Sequence, residues 1–141
     1  MKKPTIQGDT ILIPSSQEYL ADIDSFLEGI LRGYGVAEEM IADIAMSVTE
    51  IVNNSIIHGN RADLEKEVSV SIGRRNSEVE IVIGDEGNGF DPSTVESPID
   101  ENNLMREVGR GIFIVRSLMD SVNIEVVPGR GTRVTLLKKI S

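Results

Sequence analysis

The sequence predicts an α+β fold in which the helices cover one face of a mostly antiparallel sheet. Three observations support this prediction. The predicted elements follow the order β-α-α-β-β-α-β-β, apolar residues recur at helical spacing in two long segments, and apolar and polar residues alternate in strand pairs that short turns connect. The chain has 141 residues, which is the size of one domain, so a single domain is expected over 1–141.

The first half of the chain is predicted to contain one strand and two helices. The strand covers residues 8–13, and Ser15 and Glu18 after it have the spacing of a capping box. The first helix ends at Gly33, and its apolar positions recur every three or four residues at Leu20, Ile23, Leu27, Ile30 and Leu31. A second helix with a similar apolar stripe is predicted over residues 38–58.

The second half is predicted to form two hairpins with a helix between them. Residues 67–73 and 78–84 alternate as strands, a short third helix is predicted over 112–119, and a closing hairpin pairs 122–127 with 132–138. This order places two helices before the first hairpin and one helix between the hairpins. The two-layer α+β prediction follows from it.

One long segment has the composition of a loop. The 19 residues between Gly89 and Gly109 are rich in Asp, Glu, Asn, Ser and Pro. Loops of this length are usually either disordered or functional lids. The glycine clusters at both ends favour a lid over about residues 90–108.

Composition excludes several classes of function. The chain has 14 Lys and Arg against 23 Asp and Glu, a net charge of −9, which argues against nonspecific binding to nucleic acid or anionic membranes. The absence of Cys excludes disulfides and Cys-based metal sites, and a single His excludes multi-His centres and disfavours a Ser-His-Asp hydrolase. Neither a signal-peptide core nor a run of about 18 apolar residues occurs, so a reducing cytoplasm is the expected location.

The second predicted helix carries polar residues on one face. Glu50, Asn54 and His58 follow one another at intervals of four and therefore lie on one side. Such a face is usually solvated, but Met46 and Ile57 share it, which indicates a partly covered pocket wall. A carboxylate one turn from an amide suits Mg²⁺ binding by the amide oxygen and activation of a nucleophile by the carboxylate. For His58, a favourable interaction with the helix dipole is the stronger interpretation.

The sequence Asp85-Glu86-Gly87-Asn88-Gly89 follows a predicted core strand. An Asp at the end of such a strand can accept a hydrogen bond from an exocyclic amine, the group that distinguishes adenine from guanine. An isolated D-x-G-x-G is more often a turn than a site. The chain contains neither a P-loop nor a G-x-G-x-x-G dinucleotide motif, so the standard phosphate-binding loops are missing.

Four short motifs occur in an order that resembles the N box and glycine boxes of the GHKL ATPase superfamily: Glu50-x-x-x-Asn54, Asp85-x-Gly87-x-Gly89, Gly109-x-Gly111 and Gly129-x-Gly131-Thr132. The resemblance implies the Bergerat ATP-binding fold. Three longer segments are similar to the RsbW/SpoIIAB-type anti-sigma factors, which are serine-protein kinases: VTEIVNNSIIHGN (48–60), DEGNGFDP (85–92) and GRGIFIVRSLMDSV (109–122).

This resemblance implies roles for the residues that match the motifs. Glu50 would be the catalytic base that activates the attacking hydroxyl. Asn54 would bind the Mg²⁺ that bridges the phosphates of ATP. Asp85 would hold the adenine amino group, with Gly87 and Gly89 in the nucleotide-binding pocket.

Further nucleotide contacts are expected around the lid. By resemblance, Gly109 and Gly111 would let the lid and the start of the third helix approach the phosphates, and Thr132 would lie near the adenine. Arg106 and Arg110 are added because of their charge and their position at the lid hinge. Either can reach the γ-phosphate or be solvated beside acidic residues. The lid is predicted to be mobile without nucleotide and ordered by the γ-phosphate.

The implied function is that of an ATP- and Mg²⁺-dependent serine-protein kinase and anti-sigma factor. It would phosphorylate a serine of an anti-anti-sigma factor (a STAS-domain protein), bind a sigma factor in an alternative complex, and be compatible with a homodimer. One alternative is a nucleotide-sensing module of the same fold without efficient kinase activity. The other is the ATP-binding domain of a histidine kinase or gyrase-type ATPase, which is disfavoured because the 141 residues contain no phosphoacceptor hairpin or transducer domain.

Overall fold

A computed structural model describes residues 2–87, 103–127 and 130–140, and for 103–108 it describes the backbone alone. Within these ranges the helices are α1 (Leu20–Gly33), α2 (Glu38–Asn54) and α3 (Asn103–Leu118). A π-helical turn, Ser55–Gly59, continues α2, and a 3₁₀ turn, Gln17–Tyr19, precedes α1. The strands are β1 (Thr5–Gln7), β2 (Thr10–Pro14), β3 (Glu67–Arg75), β4 (Glu78–Gly84), β5 (Ser121–Val127) and β6 (Gly131–Lys139).

The six strands form one sheet in the order β1-β2-β3-β4-β6-β5, and every neighbouring pair is antiparallel. The β3–β4 hairpin pairs Arg75 with Glu78, and the β5–β6 hairpin pairs Val127 with Gly131. Alternate strand residues are buried, because one face of the sheet is covered by helices. The predicted α+β architecture is confirmed.

The hydrophobic core lies between the helices and this covered face. Helices α1 and α2 contribute Ile23, Leu27, Leu31, Ile41, Ile44, Val48, Ile51 and Val52. Strands β3 and β4 contribute Val68, Val70, Ile72, Val79, Ile81 and Ile83. Full burial of such a side chain is worth about 1.5–3 kcal/mol, so this layer holds α2 firmly against the sheet.

One helix among the described residues, Glu38–Gly59, is long and apolar enough to pass a membrane-span criterion by length and composition, with a mean hydropathy of 1.2. It comprises α2 and the π-helical turn. Its apolar stripe is buried against α1 and the sheet. The apolar character is therefore that of a core helix.

The start of α3 differs from the prediction. The helix begins at Asn103 instead of residue 112, so residues 103–108 form its first turns and do not belong to a loop. Gly109 and Gly111 consequently lie inside the helix, not at its N-terminus. Glycine is about 1 kcal/mol less favourable than alanine inside a helix, so the two glycines made a helix here difficult to predict from the sequence. The apolar positions 104, 108, 112, 115 and 119 nevertheless recur at helical spacing.

The predicted capping box is wrong. The Oγ of Ser16 accepts the Glu18 N–H at 3.4 Å, whereas the Ser15 hydroxyl donates to the Lys66 carbonyl at 2.6 Å. Ser15 is buried at the end of β2, and a tertiary contact satisfies its hydroxyl. Strand β1 is an addition that the sequence did not predict, because its three residues are all exposed.

Candidate functional site

Helices α2 and α3 enclose a cavity of about 270 Å³. Glu50 and Asn54 line it from α2, and Arg110 and Gly111 line it from α3. His58, Asn53, Ile57 and Ile114 complete its described wall. Four residues expected to bind or act on the nucleotide thus meet at one cavity, although Glu50 and Gly111 are 61 positions apart in the sequence.

Gly111 brings the backbone of α3 close to the polar face of α2. A Cβ atom at this position would lie 2.7 Å from Oε2 of Glu50 and 3.9 Å from Nδ2 of Asn54. The first distance is too short for any carbon–oxygen contact, so a larger residue would displace the Glu50 carboxylate. Glycine at this position therefore leaves room for the Glu50 carboxylate, whereas the backbone angles of α3 do not require it.

Asn54 is buried, with 9% of its surface exposed, and its Nδ2 has no hydrogen-bond partner among the described residues. An unsatisfied buried polar group costs about 1–3 kcal/mol. The amide oxygen and nitrogen exchange places when the group rotates by 180°, so this side of Asn54 can also present an acceptor. The group fits Mg²⁺, which usually takes one or two protein oxygens and completes its shell with water and phosphate oxygens.

A second cluster surrounds Asp85 at the end of β4. Its Oδ1 accepts the N–H groups of Gly87 at 3.0 Å and Thr132 at 3.1 Å, and its own N–H donates to the Thr132 carbonyl at 3.0 Å. Thr132 is buried at 7% exposure. These bonds extend the β4–β6 pairing by one residue and fix the carboxylate beside Thr132.

Three glycines allow the backbone to close around Asp85. A Cβ at Gly59 would overlap the Asp85 carboxylate, and one at Gly131 would overlap the Asp85 carbonyl oxygen. A Cβ at Gly87 would overlap the Gly59 carbonyl. Gly131 also has φ +119°, which L side chains rarely adopt. The loop after α2, the turn after β4 and the start of β6 converge here.

The end of α2 connects the two clusters. Asn54 is the last residue of α2, and the next residue, Ser55, gives a side-chain hydrogen bond to Asp85. Ser55 and Gly59 are the two ends of the π-helical turn, a feature that often occurs at functional sites. One continuous helical segment thus carries the residues of the α2–α3 cavity and the support for Asp85.

A larger cavity, about 630 Å³, lies mainly against the face of the sheet that the helices leave open. Asp85 and Thr132 border it, together with short and charged side chains such as Ser69, Ser71 and Arg133. Its size alone does not identify chemistry, because both cavities are about equally open to solvent and both have acidic and basic side chains in their walls. The smaller α2–α3 cavity brings together the carboxylate of Glu50 and the amide of Asn54, the pair that the sequence singled out.

Burial raises the pKa of the Asp85 carboxyl above its ordinary value of 3.8. The hydrogen bonds from Gly87, Thr132 and Ser55 oppose this rise, and the nearby Glu86 carboxylate adds to it. The folded protein therefore holds the Asp85 proton more tightly than the unfolded chain. Between pH 3.8 and the raised pKa, this group stabilises the fold less as the pH rises.

This linkage predicts a pH-dependent effect of Asp85→Asn. The stability that wild-type Asp85 contributes is fully present below about pH 3.8 and is lost as the pH rises through the raised pKa. The variant has no carboxyl group to titrate at this position. Its free energy of unfolding should therefore rise relative to that of wild type as the pH increases from about 3.8 through the raised pKa. Urea unfolding of both proteins from pH 3.5 to 7 measures the difference. A difference that does not change with pH would contradict the raised pKa.

The predicted site residues fall into two groups in the structure. Glu50, Asn54, Arg110 and Gly111 meet at the α2–α3 cavity, and Asp85, Gly87 and Thr132 meet at the end of β4. Gly109 lies in α3, and only the backbone of Arg106 is described. Gly89 and lid residues 90–102 lie outside the described residues.

Sequence reasoning missed three residues around Asp85: Ser55, Gly59 and Asn60. Ser55 falls on the apolar face of the second predicted helix, and Gly59 follows the predicted end of that helix. Nothing in the sequence indicates a role for Asn60 except that it is the last residue of the segment 48–60, which is similar to the RsbW/SpoIIAB-type proteins. The steric role of Gly59 depends on a residue 26 positions away.

Comparison with known proteins identifies the family. Residues 13–138 match the model of the histidine kinase-like ATPase domain. The chain is similar to the serine-protein kinase RsbW of Bacillus licheniformis, at 30% identity over 82% of this chain and 76% of the relative. It is similar to the serine-protein kinase RsbW of Staphylococcus aureus, at 32% identity over 83% of this chain and 78% of the relative.

Solved structures show the same fold. The RsbU and RsbW domains of a Mycobacterium tuberculosis protein align with a TM-score of 0.69 and 19% identity, over 99% of this chain and 32% of that longer chain. A histidine kinase domain from Erythrobacter litoralis aligns with a TM-score of 0.56 and 22% identity, over 91% of this chain and 62% of that chain. The family model spans most of the chain and the RsbW relatives reach 30% identity, so this chain belongs to the histidine kinase-like ATPase domain family and, within it, to the RsbW serine-protein kinases.

Proposed function

We propose that the chain is an Mg²⁺-dependent kinase that uses ATP to phosphorylate a protein serine and acts as an anti-sigma factor. The observation that carries the proposal is the pair Glu50 and Asn54, one helical turn apart on α2 and opposite Gly111 of α3. Phosphoryl transfer needs positioning and electrostatic stabilisation more than covalent chemistry by the protein. A domain without Cys and with one His can supply both.

Three residues of the α2–α3 cavity have distinct proposed roles. The Glu50 carboxylate orients the serine hydroxyl and accepts its proton. The Asn54 amide oxygen holds Mg²⁺, which neutralises phosphate charge when it is bound. Arg110 is exposed at the mouth of the cavity, where its guanidinium can reach a phosphate.

Asp85 is proposed to recognise the adenine. Its Oδ1 is occupied by two backbone N–H groups, which orient the carboxylate. The adenine amino group is a donor and can bond to this acceptor, whereas guanine has a carbonyl oxygen at the same ring position and would be repelled. The partly buried setting strengthens both the attraction and the repulsion.

The proposed partners follow from the resemblance to RsbW/SpoIIAB-type anti-sigma factors. The substrate serine belongs to an anti-anti-sigma factor with a STAS domain, and a sigma factor binds in the alternative complex. The nucleotide selects between the two partners, which couples two binding sites. The proposed location is the cytoplasm.

One capture experiment tests this proposal. Wild-type protein and Glu50→Gln are used to capture partners from a bacterial lysate with Mg·ATP or Mg·ADP, and captured proteins are analysed for phosphoserine. A STAS-domain protein phosphorylated by the wild type but not by Glu50→Gln is the expected result. If both nucleotides retain partners but no phosphoserine forms, the protein is a nucleotide-sensing module instead of a kinase.

The close approach of Gly111 to Glu50 predicts a separation of stability from activity. Gly111→Ala places a methyl group against the Glu50 carboxylate, while alanine is favoured over glycine in a helix by about 1 kcal/mol. We expect the free energy of unfolding to hold or rise and the rate of phosphoryl transfer to fall about tenfold or more, because the base is displaced. Urea unfolding and single-turnover phosphorylation measure the two effects.

Gly29 in α1 provides the matched control, because a Cβ there meets no atom within 4 Å. Gly29→Ala should raise stability by a similar amount and leave the phosphorylation rate unchanged. If Gly111→Ala also retains the wild-type rate, the position of the Glu50 carboxylate beside α3 does not matter for the reaction.

A further inference from the structure

Asn60 is a buried amide, 1% exposed, directly after the π-helical turn. Its Nδ2 donates to Oγ of Ser15 at 2.9 Å and to the carbonyl of Glu67 at 3.1 Å. Its Oδ1 accepts the N–H of Glu86 at 2.8 Å. Both hydrogens and the oxygen of the carboxamide therefore have partners, on three different segments of the chain.

Further bonds close this group of residues into a network. The Ser15 hydroxyl donates to the Lys66 carbonyl at 2.6 Å, and the Glu86 carboxylate accepts the Glu67 N–H at 2.5 Å. The ends of β2 and β4 and the start of β3 are thus joined through one side chain. The Asn60 amide at its centre is buried and fully bonded, which holds the joined segments in a single arrangement.

The contact with Glu86 connects this network to the Asp85 cluster. The N–H and Oδ1 of Asp85 are both bonded to Thr132 on β6. The next N–H along the chain, that of Glu86, is bonded to Asn60. Asp85 is therefore held from the β6 side by Thr132, and the following N–H, that of Glu86, is held from the α2 side by Asn60, which restricts the direction of the Asp85 carboxylate.

We propose that Asn60 is a positioning residue that sets the direction of the Asp85 carboxylate and thereby the selectivity for a 6-aminopurine nucleotide. The inference rests on the proposed recognition of adenine by Asp85. Asn60 touches no nucleotide. It acts through its hydrogen bond to the Glu86 N–H. Without the Asn60 amide, the turn after β4 is released at Glu86, and the Asp85 carboxylate is no longer directed at the adenine amino group.

The test compares Asn60→Ala with Ser15→Ala by titrating each purified protein with Mg·ATP and with Mg·GTP in a calorimeter. Ser15→Ala is the matched control, because it breaks the same network but keeps the bond from Glu86 to Asn60. Both variants should have a lower Tm. Only Asn60→Ala should reduce the ratio of ATP to GTP affinity, by about five- to tenfold, which corresponds to one poorly aligned hydrogen bond.

The outcomes separate the inference from the proposed function. An unchanged ratio in Asn60→Ala, or an equal loss in Ser15→Ala, would show a purely structural role for Asn60 and overturn the inference. Asp85→Asn is titrated in parallel. If Asp85→Asn loses its preference for ATP while Asn60→Ala keeps it, only the inference about Asn60 fails. If Asp85→Asn keeps the preference for ATP, both the adenine assignment of Asp85 and the inference about Asn60 are rejected.

A second variant covers the case in which Asn60→Ala does not fold. Asn60→Asp has nearly the same shape, keeps an oxygen that can accept the Glu86 N–H and, protonated as burial favours, retains one of the two donors. It should therefore lose stability and keep the wild-type ratio of ATP to GTP affinity. A fall in that ratio would overturn the proposed route through Glu86.

Discussion

Asp85→Asn is expected to weaken the binding of Mg·ATP by about 1–3 kcal/mol, the scale of a buried hydrogen bond to a charged group, or about 5- to 150-fold. The amide at position 85 keeps an oxygen for the N–H groups of Gly87 and Thr132. This amide lacks the charge that attracts the adenine amino group. Its NH₂ group is also a hydrogen-bond donor and would face the adenine amino group, which is a donor as well. Binding of Mg·GTP should hold or improve, because the variant removes the carboxylate that repels the guanine carbonyl oxygen and offers an NH₂ donor in its place.

Calorimetric titration of both nucleotides measures this effect. Glu86→Gln is the matched control: it removes one negative charge at the neighbouring residue and keeps an oxygen for the Glu67 N–H. We expect its ATP affinity to stay within about twofold of wild type, because a solvated charge contributes little. Equal wild-type affinities for ATP and GTP would reject the role of Asp85.

Glu50→Gln is expected to retain ATP and lose most phosphoryl transfer, by about 10²- to 10⁴-fold, the usual contribution of a general base. Glutamine has the shape of glutamate, so the cavity between α2 and α3 and the space left by Gly111 are preserved. Only the ability to accept the serine proton is lost. The contrasting variant Asn54→Ala should weaken the Mg²⁺-dependent part of ATP binding, because it removes the amide oxygen.

Nucleotide affinity and single-turnover phosphorylation are measured for each variant. Glu39→Gln is the control, because it removes a carboxylate from the exposed first turn of the same helix. Its affinity and rate should match those of wild type. Phosphorylation by Glu50→Gln at the wild-type rate would show that another group accepts the proton.

Local periodicity accounts for the elements that were predicted correctly from the sequence. The apolar stripes of α1 and α2 and the alternation in β3 and β4 were predicted, because burial of one face imposes a period of 3.6 on helices and 2 on strands. The spacing of Glu50 and Asn54 is of the same kind. Four residues are about one helical turn, so their shared face followed directly from α2.

Which residues of these elements come into contact depends on how the helices and strands pack. The start of α3 was hidden because Gly109 and Gly111 lower helix propensity, and packing against α2 outweighs that cost. Gly59 leaves room for the Asp85 carboxylate, and Gly111 for the Glu50 carboxylate, across 26 and 61 positions of sequence. Asn60 bonds to Ser15 across 45 positions and to Glu86 across 26. No local pattern encodes such distances, because they arise only when helices and strands pack into one core.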